Sequence, residues 1–247
     1  LADLYIDLFR EKDLLNRLEE ENILICSFLV NNAISVKNFK VEVKWVVKVC
    51  EAAANYNVST VRINPVMKFF KDTSITECVK LTSNFVREVL SKTGGLDVSL
   101  AMENHGFIGN RREYLRAVLS NVQSERFGLT LDTGNFYWFG YPLNEVYDLI
   151  VEFAPFTKHT HIKNLSFSEE RRFVRREPGE DYPETASPIY EGDIDLQRVV
   201  RILKHAGYDG DLTIEDESLR NYPKWRRLAI LKKDLKHLNG IVRRLTN

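Results

Sequence analysis

Four short apolar segments of the chain each lead to, or contain, a side chain that could take part in acid–base or metal chemistry. The segments and their residues are 98–102 with Glu103, 128–131 with Asp132, 159–162 with His159 and His161, and 212–214 with Glu215. Any one of these carboxylates alone would be read as a helix cap or turn former. Three carboxylates and an imidazole brought together, however, would repel one another by roughly several kcal/mol unless a cation neutralised them. This donor set favours Mn²⁺ or Mg²⁺ over a structural zinc ion and leaves Co²⁺, Fe²⁺ and catalytic Zn²⁺ open.

Such a cluster suits proton transfer next to a carbonyl group. The reaction needs a base that removes the proton and an electrophile that stabilises the resulting enediolate, and a divalent cation is such an electrophile. A carboxylate on each side of the substrate would give epimerisation, whereas a base on one side would give aldose–ketose isomerisation. Loss of a β-hydroxyl from the same enediolate would give dehydration, and the pattern leaves all three outcomes open.

Strands and helices that alternate along the chain would have to position these groups. The predicted strands are residues 4–9, 23–29, 60–64, 98–102, 128–131, 159–162 and 212–214. Helical spacing of apolar residues is found at 11–21, 43–54, 75–90, 111–121, 144–154 (with Asn144 as N-cap), 196–206 and from about Pro223 onward. This order predicts a parallel sheet with right-handed crossovers, and no linker divides residues 1–247, so we expect a single domain.

The predicted fold class is an α/β protein of the TIM (β/α) barrel type. The usual first-turn signature of an open doubly wound sheet, Gly-x-Gly-x-x-Gly, is absent. A closed barrel of this type has eight strands and seven are visible. The first strand and helix are therefore expected to lie upstream of Leu1.

Composition narrows the class of protein. The 247 residues include 35 Lys+Arg and 35 Asp+Glu, so the formal net charge is zero, which argues against a general nucleic-acid binder. Hydrophobic residues make up 44% and charged residues 28%, and no apolar run is long enough to span a membrane. Three scattered cysteines, Cys26, Cys50 and Cys78, indicate reduced thiols and a cytoplasmic location rather than a disulfide framework.

One polar segment, residues 164–192, is longer than most loops of a compact domain. It contains three prolines and four arginines, and Arg172 and Arg175 directly flank Phe173 and Val174. A loop of this length is usually functional or disordered. Two interpretations stay open: a solvated mobile excursion, or a lid that brings an arginine to an anionic substrate group.

Five motifs of the chain fall in the order seen in the xylose isomerase-like TIM barrel superfamily. They are Glu103-Asn104-His105-Gly106, Asp132-Thr133-Gly134-Asn135, His161-Ile162-Lys163-Asn164, Glu191-Gly192-Asp193-Ile194-Asp195 and the segment 207–215. More narrowly, the chain resembles the sugar phosphate isomerase/epimerase branch, with its ketose 3-epimerases, hydroxypyruvate isomerases and inosose dehydratases. The resemblance of motifs covers residues 98–231, and before them only the architecture is similar.

The resemblance implies a metal-dependent sugar (phosphate) isomerase or epimerase with a small carbohydrate substrate, or alternatively a dehydratase of an inosose-type polyol. It implies one divalent metal ion, Mn²⁺ first among the candidates, bound by the residues Glu103, Asp132, His161 and Glu215. Glu103 and Glu215 would also be the acid/base pair. His161 is preferred over His159 because it directly precedes the Ile-Lys-Asn stretch.

Two positions depart from the family pattern, and several further residues are candidates for substrate contacts. Asn164 stands where the family often has Asp, and Asn135 stands where the 3-epimerases tend to carry His. Arg62 could contact a substrate oxygen or form a salt bridge inside the barrel mouth, and His105 could contact the substrate or support a neighbouring metal ligand. Asn135 is a further candidate substrate contact, and Lys163 could bind an oxyanion or pair with Glu191. The aromatic run 136–139 could pack on a sugar, on a lid or on a second subunit, so a homo-oligomer stays open.

Two rival functions belong to other classes. An endonuclease IV-type abasic-site nuclease would need several metal-binding histidines, and this chain has five, none of them in its first 104 residues. A non-catalytic binding protein could use the basic C-terminal helix to dock on RNA, an anionic membrane or a partner. The alternative for that helix is a solvated basic face opposite a leucine stripe (Leu228, Leu231, Leu235, Leu238, Val242 and Leu245) that packs on the sheet.

Overall fold

A curved parallel sheet forms the centre of the protein. The structure is a computed structural model and describes residues 12–69 and 73–246. The strands are β1 (Phe28–Leu29), β2 (Thr60–Ile63), β3 (Ser99–Glu103), β4 (Phe127–Asp132), β5 (Thr157–Ile162), β6 (Asn164–Leu165), β7 (Ala186–Ser187) and β8 (Thr213–Ile214). Six of them make one sheet in the order β1-β2-β3-β4-β5-β8, and all of its pairings are parallel. β6 and β7 form a separate antiparallel pair.

Helices connect the strands and cover the outside of the sheet. They are α1 (Lys12–Glu20), α2 (Phe39–Asn55), α3 (Ile75–Lys92), α4 (Gly106–Gly109), α5 (Arg112–Val122), α6 (Asn135–Trp138), α7 (Leu143–Phe153), α8 (Leu196–His205) and α9 (Lys224–Thr246). Local sequence fixes several helix starts: Ser74 and Glu77 form a capping box at α3, and Asp195 caps α8. The alternation of parallel strands and helices confirms the predicted TIM-barrel class.

The strand register determines which residues meet at the carboxyl end of the sheet. Glu103 is paired with Thr130, Asp132 with His161, and Ile162 with Ile214, which directly precedes Glu215. Every residue of β4 is buried, as expected for a parallel strand covered on both faces. The side chains that could do chemistry therefore extend from a rigid, fully packed support.

The two edges of the sheet approach each other. Cys26, just before β1, has its sulfur 3.6 Å from the hydroxyl oxygen of Thr213 in β8. The six-stranded sheet thus curls until one edge touches the other. We call this contact region, formed by residues 26–29 and 211–214, the seam.

Several predicted elements differ from the structure. Of the predicted strand 23–29 only Phe28–Leu29 pairs, because the neighbouring strand β2 begins at Thr60 and, in the observed register, lies opposite none of the residues 23–26. The predicted strand 4–9 lies outside the described residues. Asn144 is not an N-cap: α7 begins one residue earlier, after Pro142, without a side-chain cap.

Part of the segment 164–192 packs into the fold, so the segment is not wholly a solvated excursion. Arg176 is buried between the rings of Tyr137 and Phe167 and donates to the carbonyl oxygen of Tyr141. The other arginines of the segment also have partners outside the four-residue cluster, so in the described structure none of them pairs with Glu103, Asp132 or Glu215. Their partners are Glu180 and Asp181 for Arg171, Asp193 for Arg172, and the rings of Phe139 and Tyr141 for Arg175.

The C-terminal helix α9 buries only part of its predicted leucine stripe. Leu238 is buried, whereas Leu228 and Leu235 are 63% and 53% exposed. Ile230, Asp234 and Ile241 take the inward positions instead. The prediction that the whole stripe packs on the sheet is therefore wrong for the first half of the helix. None of the helices in the described ranges is long and apolar enough to cross a membrane.

Candidate active site

Four side chains converge at the carboxyl end of the sheet: Glu103, Asp132, His161 and Glu215. Each offers one donor atom, and these donors all lie within 4.8 Å of one another. Nδ1 of His161 is 3.3 Å from Oε1 of Glu103, 3.3 Å from Oε2 of Glu215 and 3.9 Å from Oδ2 of Asp132. Glu103, Asp132 and His161 are buried and Glu215 is partly exposed, so the cluster is open to solvent on one side.

Asp132 is held rigidly by the backbone that follows it. Its Oδ1 accepts hydrogen bonds of 2.8 Å from the backbone N–H groups of Gly134 and Asn135. The side chain of Asn104 brackets its main chain, accepting from Asp132 N and donating to Asp132 O. One carboxylate oxygen is thus committed to the turn, and the other, Oδ2, faces the cluster.

Two cationic side chains of the chain enter the cluster. The guanidinium of Arg62 forms an ion pair with Oε2 of Glu103. Nζ of Lys163 lies 3.0 Å from Oδ2 of Asp132, 2.9 Å from Oε2 of Glu215 and 3.3 Å from Oε2 of Glu217. Lys163 therefore pairs with the carboxylates of the cluster. The alternative that it pairs with Glu191, which the sequence left open, is wrong.

Burial and charge shift the pKa values of these groups in opposing directions. Burial raises the pKa of Asp132 above its ordinary value against the attraction of Lys163. Burial would also raise the pKa of Glu215, but His161 and Lys163 outweigh it and hold that pKa well below its usual range. Burial would lower the pKa of Lys163, but Asp132 and Glu215 hold it above its usual range. Burial lowers the pKa of Arg62 to about 10.

The donor set fits a divalent cation. Three carboxylates and one imidazole lie close enough to share one ion after small side-chain movements, and carboxylate and imidazole donors suit Mn²⁺, Mg²⁺ and catalytic Zn²⁺. Lys163 and Arg62 supply positive charge at the same place, so a divalent cation would compete with the ammonium of Lys163 for Asp132 and Glu215.

The sequence-predicted substrate contacts lie around this cluster. His105 is partly exposed, with Nδ1 3.3 Å from Nη2 of Arg62, and burial lowers its pKa. Asn135 donates to Oε1 of Glu103 and accepts from Nζ of Lys163. All four predicted contacts, Arg62, His105, Asn135 and Lys163, therefore lie within one network around Glu103.

A cavity of about 150 Å³ opens onto the cluster. Besides predicted residues, it is lined by three that the sequence did not single out individually, Trp138, Tyr182 and Glu217. Trp138 and Tyr182 meet edge to face with ring centroids 6.5 Å apart, and the hydroxyl of Tyr182 donates to Glu217. The aromatic run 136–139 could have indicated Trp138, and the long loop 164–192 could have indicated Tyr182. The remaining rings of the run, Phe136, Tyr137 and Phe139, are buried in the core.

Two further predicted residues have structural partners. His159 is not a member of the cluster, and its Nδ1 lies 2.8 Å from Oδ1 of Asp211. Asn164 donates to the carbonyl oxygens of Ile189 and Ile194, and its Oδ1 accepts from the N–H groups of Leu165 and Ile194. An aspartate could not donate to those two carbonyls, which explains why an amide stands at this position.

Comparisons with known proteins agree with this architecture. A family model described as xylose isomerase-like TIM barrel matches residues 4–241. An uncharacterized protein of Methanocaldococcus jannaschii, MJ1311, is 26% identical over 176 residues, which cover 65% of this chain and 54% of that protein. The chain thus spans about half the length of this curated relative.

Solved structures share the fold at low sequence identity. A D-tagatose 3-epimerase-like protein superposes with a TM-score of 0.68 at 20% identity, covering 94% of this chain and 84% of that one. A xylose isomerase-like TIM barrel protein from Mycobacterium smegmatis in complex with magnesium superposes with a TM-score of 0.67 at 17% identity, covering 93% of this chain and 78% of that one. A probable 3-DHS dehydratase, AsbF, from Bacillus anthracis superposes with a TM-score of 0.67 at 17% identity, covering 96% of this chain and 85% of that one.

Because the family match extends over nearly the whole sequence and the sheet, helices and strand-end cluster follow the same plan, the chain belongs to the xylose isomerase-like TIM barrel family.

Proposed function

We propose that the protein is a metal-dependent sugar or sugar phosphate isomerase or epimerase that acts through an enediolate. The observation that carries this proposal is the convergence of Glu103, Asp132, His161 and Glu215 within 4.8 Å of one another beside an open cavity. The similarity to a 3-epimerase-like structure and to a magnesium-bound member of the same fold supports it.

The proposed roles follow from where each side chain lies. Glu103, Asp132, His161 and Glu215 would hold the cation, which when bound supplies electrophilic stabilisation of negative charge on substrate oxygens. Glu103 and Glu215 extend from different strand ends, β3 and β8, and both line the cavity. Two carboxylates that reach a substrate from different strands can remove a proton and return it, the requirement for isomerisation or epimerisation.

The cavity indicates the class of substrate. Its lining combines carboxylates and cations with the rings of Trp138 and Tyr182. Aromatic rings pack on the apolar face of a sugar, while charged and amide groups bind its hydroxyls. A cavity of about 150 Å³ is small, so we propose a monosaccharide-sized polyhydroxy ketone or aldehyde rather than a polymer.

The experiment that tests this proposal measures carbon-bound proton exchange. The purified protein is incubated in D₂O with Mn²⁺ and a panel of ketoses, hydroxypyruvate and inososes, and deuterium incorporation is followed by NMR. Glu103→Gln and Glu215→Gln should each abolish exchange while the fold, checked by circular dichroism, is kept. Glu145→Gln on the exposed face of α7 is the matched control and should exchange normally.

The products separate the alternatives. Inversion of a carbon stereocentre identifies an epimerase, a moved carbonyl group identifies an isomerase, and loss of water identifies a dehydratase. Full exchange in both glutamine variants, or no metal-dependent exchange with any member of the panel, would reject the proposal. The nuclease alternative has no supporting observation in the described residues, since only His105 and His161 of the five histidines are in the cluster or its cavity.

A further inference from the structure

We propose that the protein has a second, separate binding site for a transition metal ion at the seam, formed by Cys26, His159 and Asp211. Each of these residues offers one donor atom, and the donors lie within 4.8 Å of one another. No residue is shared with the candidate active site. The donors are one sulfur, one nitrogen and one oxygen, a set that suits Zn²⁺ or Co²⁺ better than Mg²⁺.

The first argument is the state of the His159 ring. The side chain is completely buried, and Nδ1 is hydrogen-bonded to Oδ1 of Asp211 at 2.8 Å. The other ring nitrogen, Nε2, has no hydrogen-bond partner in the described part of the chain. The ring is thus held by this one hydrogen bond, and an ion placed between His159 and Asp211 would replace it with bonds to both side chains.

The second argument is the position of Asp211. Its Oδ1 lies 2.8 Å from Nδ1 of His159, and its Oδ2 accepts a hydrogen bond of 2.7 Å from Oγ1 of Thr213. These contacts hold the carboxylate beside the imidazole, where both side chains could bind one ion.

The third argument is the thiol. Cys26 is exposed, whereas Cys50 and Cys78 are buried in the core. Its sulfur lies 3.6 Å from Oγ1 of Thr213, which itself donates to Oδ2 of Asp211. An exposed thiol next to an imidazole and a carboxylate can lose its proton to a metal ion. Solvent access at Cys26 would leave a further coordination position to water.

The position in the fold gives the site a physical consequence. Cys26 precedes β1, His159 lies in β5 and Asp211 precedes β8, so an ion held by all three would tie the two edges of the sheet together. The rings of His159 and His161 are 5.1 Å apart and nearly perpendicular. The seam site is therefore adjacent to the candidate active site, with a separate set of donors.

Cobalt spectroscopy tests this proposal independently of the proposed function. Chelator-treated protein is titrated with Co²⁺, and the near-ultraviolet charge-transfer band of a thiolate–cobalt bond is recorded. The candidate active site contains no thiol, so the band reports on the seam alone. We expect the band in the wild type and its loss in Cys26→Ser, with Cys50→Ser and Cys78→Ser as matched controls that keep it.

Two further variants separate this site from the other one. Asp132→Asn should weaken Co²⁺ binding at the candidate active site while the band remains. Asp211→Asn should weaken the Co²⁺ affinity measured from the band by tenfold or more. Absence of the band with excess Co²⁺ in the folded wild type, or its survival in Cys26→Ser, would overturn the seam site and leave the proposed enzyme untouched.

Discussion

Nζ of Lys163 lies 2.9 Å from Oε2 of Glu215, inside the cluster of candidate metal ligands. Lys163 is buried, and the same ammonium also contacts Oδ2 of Asp132 at 3.0 Å. The site thus carries positive charge of its own, which offsets the repulsion between carboxylates before any metal ion binds. A divalent cation must compete with this lysine, and the lysine would then be free to bind substrate oxygens.

Replacing Lys163 by Met should therefore raise the affinity for Mn²⁺. Like charges about 4 Å apart repel by about 4 kcal/mol at an effective dielectric constant of about 20, and about 1.4 kcal/mol already corresponds to a tenfold change. We expect at least about tenfold tighter Mn²⁺ binding by isothermal titration calorimetry and a lower melting temperature without metal. Lys92→Met on the exposed part of α3 is the control. Unchanged or weaker Mn²⁺ binding in Lys163→Met would show that the ammonium does not compete.

Asp132→Asn should weaken Mn²⁺ binding without disturbing the turn after β4. In the wild type, the backbone N–H groups of Gly134 and Asn135 donate to Oδ1 of Asp132, and asparagine keeps an oxygen acceptor for both. An uncharged amide NH₂ group replaces the oxygen that faces the cluster, so the dissociation constant for Mn²⁺ should rise tenfold or more. The measurement is a Mn²⁺ titration with thermal unfolding as the fold check. An unchanged titration curve would remove Asp132 from the ligand set.

The parts of the site that could be predicted are those fixed by short-range patterns. An apolar strand followed by a carboxylate is visible in the sequence at Glu103 and Asp132, and a parallel sheet brings such strand ends together regardless of what the loops do. The same logic applies to His161 and Glu215, so the order of strands and the identity of the converging groups followed from one pattern.

The parts that could not be predicted depend on long-range packing. Tyr182 lies in a polar loop without periodicity, and its contact with Glu217 joins residues 35 positions apart. The partners of Lys163 depend on the register between β5 and β8, which the sequence does not encode locally. Residues 23–26 have strand propensity but do not pair, because β2 begins at Thr60 and does not extend far enough to lie opposite them in the observed register.

Asn164→Asp should destabilise the long loop at its base. The buried amide of Asn164 donates to the carbonyl oxygens of Ile189 and Ile194 at 3.1 and 3.0 Å, and a carboxylate would face both oxygens without a hydrogen to donate. Unsatisfied buried groups cost about 1–3 kcal/mol each, more when charged, so we expect a loss of at least about 2 kcal/mol in urea unfolding.

The control for this prediction is Asn221→Asp. Asn221 also donates to a carbonyl oxygen, that of Pro183, but is exposed, so water can replace the lost hydrogen bond. Limited proteolysis should cut the loop 164–192 faster in Asn164→Asp and at the wild-type rate in the control. Wild-type stability of Asn164→Asp would mean that the loop does not depend on this amide.

Asp234→Asn should stabilise the protein increasingly as the pH rises. Asp234 is buried in α9, accepts from the N–H of Ile189, and lies near the carboxyl group of Asp216. Burial and the charge of Asp216 raise its pKa from 3.8 to about 7, with Glu191 adding to the effect. The folded state therefore keeps the proton where the unfolded state has released it, and stability falls as the pH rises from about 4 to about 7.

Asparagine mimics the protonated acid and has no proton to lose, so the difference between variant and wild type should grow over that pH window. Each pH unit contributes about 1.4 kcal/mol at most, so we expect the gap in the free energy of unfolding to widen by about 2 kcal/mol between pH 5 and pH 8. Urea unfolding with chelator present measures it without a contribution from bound metal, and Asp148→Asn on the exposed face of α7 is the control. A gap that stays constant or narrows with rising pH would show that Asp234 is ionised in the folded protein throughout.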